Sequence, residues 1–122
     1  MKPEVRFHIR EGDRETGLAI GPGKIALLEA IEQTGSITAS AKKLGMSYRR
    51  AWLLVDETNR CLARPAVHTA SGGKRGGGTS LTAAGVELVR CYRALEHQTG
   101  LAVRRKLKSL LRTIPSGSRA TK

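Results

Sequence analysis

The chain has 122 residues, one domain's worth, with one Trp, two Tyr and one Phe, so its core volume has to come from Leu, Ile, Val and Ala. Lys and Arg outnumber Asp and Glu by 22 to 10, a formal charge of +12, which points to a polyanionic partner. Cys61 and Cys91 lie far apart with no paired Cys or Cys/His cluster, which argues against a zinc site, and no apolar run is long enough to span a bilayer.

Val5, Phe7 and Ile9 alternate with Arg6, His8 and Arg10, the two-residue period of a half-buried strand. The polar stretch 11–17 turns the chain into a short second strand over 18–20. Pro22 opens a helix whose apolar face, Ile25, Leu28 and Ile31, ends at Gly35. Ser36 is placed to N-cap a second helix with Ile37, Ala41 and Leu44 facing inward. Gly45 supplies the positive φ of a tight turn, and Ser47 caps a third helix. There Ala51, Val55, Thr58 and Leu62 have the inward spacing, so Tyr48, Arg49, Arg50 and Leu53 point outward. A lone Trp52 inside such a helix is expected to pack.

Arg64-Pro65 ends that helix. Residues 66–70 read as a strand, 71–78 as a glycine-rich loop and 79–81 as the return strand. Thr82 then caps a long last helix. Leu88, Tyr92, Leu95, Thr99 and Ala102 follow a 4-3-4-3 spacing along it, that of a two-helix packing seam. Gly100 is a potential kink, and residues 100–122 form a basic helical extension with a flexible tail. Cys61 and Cys91 fall within apolar helical patterns and are expected to be buried thiols.

A helix pair joined by a tight turn, with cations crowded into the first turn of the second member, is how a helix-turn-helix meets base edges in the major groove. The run Gly72-Gly73-Lys74-Arg75-Gly76-Gly77-Gly78 is not a nucleotide-binding P-loop, which needs Gly-Lys followed by Ser or Thr opening a helix. It reads as a wing whose Lys74 and Arg75 lie on phosphates. The charge is one-sided: residues 1–62 hold 10 cations against 8 anions, and residues 63–122 hold 12 against 2. His8, His68 and His97 are scattered, with no nucleophile or base spaced to pair with them, so an enzyme is not expected.

Gly45-Met46-Ser47-Tyr48-Arg49-Arg50-Ala51-Trp52, then Glu57-Thr58-Asn59, then Thr69-Ala70-Ser71-Gly72-Gly73-Lys74 with its following glycines, resemble the N-terminal DNA-binding domain of ModE-type regulators. These molybdate-responsive repressors carry a LysR-like winged helix-turn-helix. Leu81-Thr82, Gly85 and Tyr92 fit the start of that family's long dimerisation helix. The resemblance covers roughly residues 5–98 and implies a homodimer, a palindromic operator and transcriptional control. Full-length family members continue into a C-terminal molybdate-binding pair of β-barrels. The sequence ends at Lys122 with no counterpart to the residues that would bind molybdate there, so direct molybdate binding is not expected.

The expected fold is thus mainly α, a winged helix-turn-helix with two small β-hairpins, spanning residues 1–99 and including the start of a dimerisation helix. The expected function is sequence-specific binding of double-stranded DNA in transcription regulation, of genes for molybdenum uptake or use, in the cytoplasm. Tyr48, Arg49 and Arg50 are assigned to base edges or flanking phosphates, Ser36, Thr38 and Ser47 to phosphates at helix N-termini, and Lys74 and Arg75 to the backbone. Leu88, Tyr92, Leu95, Thr99 and Ala102 are assigned to the dimer interface. No cofactor, metal, membrane or tightly bound small molecule is expected. Two other classes stay open on the residues alone: a nucleoid-type or RNA-binding protein without sequence preference, and a protein–protein adaptor acting through the basic C-terminal extension.

Overall fold

The computed structural model describes residues 5–12, 18–70 and 78–112. Its elements run β1 (Ile9–Glu11), β2 (Leu18–Ile20), α1 (Pro22–Thr34), α2 (Ile37–Leu44), α3 (Tyr48–Cys61), β3 (Val67–Thr69), β4 (Thr79–Leu81) and α4 (Ala83–Leu111). Each strand pair is an antiparallel hairpin, with Ile9 opposite Ile20 in the first and Val67 opposite Leu81 in the second. The expected two-residue alternation holds from Val5 to Arg10, half-buried against exposed, although ladder pairing begins only at Ile9.

Local chemistry sets the helix boundaries. Pro22 occupies the first turn of α1, where a missing N–H costs nothing. Gly35 ends that helix at φ 70° and donates its N–H to Ile31 O at 2.8 Å. The Ser36 hydroxyl accepts from Ala39 N at 3.0 Å and the Ser47 hydroxyl from Arg50 N at 3.0 Å, caps that contribute about 1 kcal/mol each. Between them Gly45 sits at φ 71°, and Met46 N donates to Ala41 O at 2.9 Å to close the end of α2.

The core is the inward surface of α1 together with what packs on it. Ile25, Leu27, Leu28 and Ile31 of α1, Ile37 and Ala41 of α2, and Ala51 and Val55 of α3 are buried with Ile20, Ala66, Val67 and Tyr92. Tyr92 is 1% exposed. Its ring stacks on Phe7 with centroids 4.8 Å apart, and its hydroxyl donates to Phe7 O at 2.8 Å. The N-terminal segment thereby covers the flank of α4. Tyr92, expected on the dimer seam, is thus buried in the core of this chain. Cys91, next to it, faces outward and is exposed rather than buried, while Cys61 is half-buried. The reason is the same, since turning Tyr92 inward carries its neighbour about 100° around the helix.

Polar contacts join the second hairpin to the helices. Asn59 Oδ1 accepts from both Ala66 N (2.8 Å) and Val67 N (3.0 Å), fixing the chain as it leaves α3. Thr82 donates its hydroxyl to Pro65 O at 2.6 Å and accepts from Gly85 N at 3.1 Å, so a single side chain ties the start of β3 to the N-terminus of α4. Thr79 N donates to Gly35 O at 3.0 Å, which joins β4 to the end of α1. α4 is one uninterrupted helix through Gly100, over which the Arg104 side chain lies, with no break at the expected kink.

α1 and α4 are also clamped by charge. Arg93 donates to both carboxylate oxygens of Glu29, at 2.9 and 2.6 Å, and to Glu96 at 2.7 Å. The Arg93 hydrogen bonds hold the Glu29 carboxyl below its ordinary value, against a smaller opposing effect of burial.

Two outcomes are expected. A methyl group at Gly85 would collide with the Ala66 carbonyl, whereas one at Gly23 meets open space. Gly85→Ala should therefore lower stability by about 1–3 kcal/mol in denaturant unfolding, with Gly23→Ala neutral or slightly stabilising. The depressed Glu29 carboxyl contributes its full stabilisation above its unfolded-state value and loses it progressively as pH falls through the lower folded-state one. The stability gap between the natural chain and Glu29→Gln should be full above the ordinary value of 4.5 and close as pH falls below it. A gap that does not change with pH would contradict the clamp.

Candidate nucleic-acid interface

The outward face of α3 follows from what its inward face buries. Ala51, Val55 and Thr58 are buried on one side of the helix. Their neighbours at the N-terminal end are turned to solvent, and Tyr48, Arg49, Arg50, Trp52 and Leu53 are all exposed. Among the described residues neither Arg49 nor Arg50 forms an ion pair, so both guanidinium groups keep their full donor set for a ligand. The two carboxylates on α3 are each matched by a cation: Asp56 lies 3.1 Å from Arg60, and Glu57 3.3 Å from Lys24. The positive charge at the N-terminal end of α3 is thus not offset by neighbouring acids.

The hydroxyl-bearing candidates stand at the N-termini of the two helices. Ser36 and Ser47 cap α2 and α3, and Thr38 is exposed in the first turn of α2. Capping uses the serine oxygens as acceptors, which leaves each hydroxyl hydrogen available to donate to a phosphate. Lys74 and Arg75 lie outside the described residues. The strands that would carry a wing are present on either side of them, paired from Val67–Leu81 to Thr69–Thr79.

Trp52 was expected to pack and does not. It is 47% exposed, close to Tyr48 at 52% and Leu53 at 48%. The inward series through Ala51 and Val55 already contained the signal, because position 52 lies a quarter-turn outside that series.

Along α4 the other proposed interface residues are unequally placed. Leu88 packs partly against the core, Thr99 is half-buried, and Leu95 and Ala102 are exposed. Farther out, Ala102, Val103, Leu107 and Leu110 border a shallow apolar groove with the stem of Lys106. Arg104, Arg105, Lys108 and Arg112 are exposed on the same stretch. No helix among the described residues is long and apolar enough to cross a membrane.

Two helices joined by a tight glycine turn, a following two-stranded hairpin and a long C-terminal helix define a winged helix-turn-helix domain. No family model matches the chain. Its relatives are nevertheless consistent. It is 49% identical over 81 residues to the Rhodobacter capsulatus molybdenum-pterin-binding protein MopB, covering 66% of this chain and 30% of that one. It is 45% identical over 84 residues to the Azotobacter vinelandii molybdenum transport protein ModE, covering 69% and 31%. It is 42% identical over 71 residues to the Escherichia coli K12 DNA-binding transcriptional dual regulator ModE, covering 58% and 27%. The chain therefore belongs with the ModE-type regulators as a winged helix-turn-helix domain, and it spans about a third of the length of the curated relatives it matches.

Proposed function

We propose that this chain binds duplex DNA at specific sites and regulates transcription of genes for molybdenum uptake or use. The observation that carries the reading is the first turn of α3. Three exposed polar or cationic side chains, Tyr48, Arg49 and Arg50, stand at a serine-capped helix N-terminus, immediately after the turn from α2. A recognition helix presents its N-terminal residues to base edges in this way. The names of the relatives, which include molybdenum transport proteins and a DNA-binding transcriptional regulator, support the choice of pathway.

In this reading Arg49 and Arg50 contact bases, and Tyr48 meets a base edge or a flanking phosphate. Ser36, Thr38 and Ser47 hold phosphates at the two helix N-termini, and Lys74 and Arg75 ride on the backbone from the wing. Two copies associate along α4 through Leu95, Thr99 and Ala102, with Leu88 at the border of the core, and bind the two halves of a palindromic operator. The exposed cations of distal α4 favour a second reading, binding of nucleic acid without sequence preference. The two readings differ in how affinity depends on sequence and salt.

Arg49→Ala and Arg50→Ala should each reduce affinity for a selected site more than for random duplex, since a bidentate Arg–guanine pair contributes about 1–3 kcal/mol of discrimination. Proportional losses on both DNAs would make the residue a phosphate anchor and favour non-specific binding. Sedimentation equilibrium should give twice the 13.2 kDa chain mass, and a monomer would remove the palindrome from the account. Replacing Lys74 and Arg75 together takes about four phosphate contacts from a dimer, so the log–log salt slope should flatten by roughly 0.9 per contact. An unchanged slope would mean that the wing does not touch DNA.

A further inference from the structure

We propose that Trp52 and Leu53, continuing the rows begun by Tyr48 and Arg49, form an apolar strip on α3 that selects thymine through its C5-methyl group. The inference rests on α3 being the recognition helix and adds what its second turn reads.

Three large side chains stand about half exposed within six residues of one helix: Tyr48 at 52%, Trp52 at 47% and Leu53 at 48%. Scattered apolar residues on a surface are ordinary, but a cluster of this kind marks a contact surface. The occupant is indicated by the charge around it. Arg49 and Arg50 border the strip, and the nearest acids on α3, Asp56 and Glu57, are neutralised by Arg60 and Lys24. The strip thus sits in a positive setting without opposing free carboxylates, which suits a polyanion whose interior surface offers something apolar. A DNA duplex is such a ligand.

Within the major groove the apolar feature that distinguishes one base from another is the thymine methyl. Leu53 has no polar atom with which to contact a phosphate or a base edge, so methyl contact is the recognition chemistry open to it there. Trp52 has a ring face for the methyl and an indole N–H for the adjacent O4 acceptor of the same base. Helix geometry gives the register. Trp52 is four residues beyond Tyr48 and Leu53 four beyond Arg49, and four residues rise about 6 Å along an α-helix. Stacked base pairs are about 3.4 Å apart. The strip therefore reaches at most about two base pairs past those met by the first turn, and thymines are expected within that offset from the pairs read by Arg49.

The test uses the full chain and a duplex selected by it from a random pool. Each thymine of the selected site is replaced in turn by deoxyuridine, which removes only the methyl group. At one or two positions per half-site the natural chain should lose about fourfold in affinity, the value of burying one methyl group. Trp52→Ala or Leu53→Ala should bind more weakly and be indifferent to the same replacement. Trp52 is the single tryptophan of the chain, so its intrinsic emission should also shift when the duplex saturates the protein. Selective binding that ignores every methyl, with unshifted emission, overturns the inference and leaves the DNA reading standing. A pool that fails to converge on any sequence overturns both. Emission that shifts with protein concentration alone, without DNA, would assign the strip to a second copy of the chain and likewise overturn the inference.

Discussion

The orientation of α3 depends on how little its inward face carries. Ala51 is fully buried, and Val55 and Thr58 complete a face of short side chains. Short residues let the helix axis approach α1 and α2 closely, so its angular setting is fixed by contact on both sides. Thr58 spends its hydroxyl on Leu54 O within its own helix at 2.7 Å, which lets a polar residue occupy the core without an unmet donor. Every outward residue inherits its direction from that setting. A rotation of one residue would bury Trp52 and turn Val55 to water. A bulkier side chain at position 51 would therefore act on DNA recognition without touching DNA.

The remaining elements hold this unit to the hairpin and to α4. Asn59 and Thr82 meet the chain on either side of Ala66, and Gly85 lets α4 begin directly against the Ala66 carbonyl. Thr79 N on Gly35 O binds β4 to the end of the first helix. Arg93 joins α1 to α4 by charge, and its guanidinium lies 5.9 Å from the ring of Tyr92, which stacks on Phe7. Net hydrogen bonds contribute about 0.5–1.5 kcal/mol each, so none of these contacts is decisive alone. Their distribution matters more, because they link the hairpin to α1, α3 and α4, and the long helix to α1. A partner protomer docked on α4 would be positioned relative to α3 through them.

Much of this was legible in the sequence because it is local. Ser36, Ser47 and Thr82 are cap residues standing just before apolar helical patterns, and each caps as its position implies. Gly45 is needed where the backbone turns left-handed, and the spacing of Ala51, Val55 and Thr58 identifies the core face. What was not legible depends on distant pairs. Tyr92 was assigned to a dimer seam because its spacing fits one, but its partner Phe7 lies 85 positions away. Glu29 and Arg93 are 64 positions apart, and neither residue type announces the other. Gly85 fits a family pattern at the start of the last helix, but nothing local to it signals the Ala66 carbonyl packed against its Cα. Cys91 and Trp52 differ from these: each is an apolar residue within a helical pattern, but its angle to the buried series sets it outside.

The central claim is that α3, and not the basic distal half of α4, meets the bases. Amide chemical-shift mapping of the full chain on a selected duplex tests it most directly. The largest perturbations should fall on residues 47–53, with smaller ones at 36–38 and little change along 101–112. Perturbations concentrated on 101–112, with 47–53 unmoved, would contradict the account and make the basic helix the nucleic-acid surface.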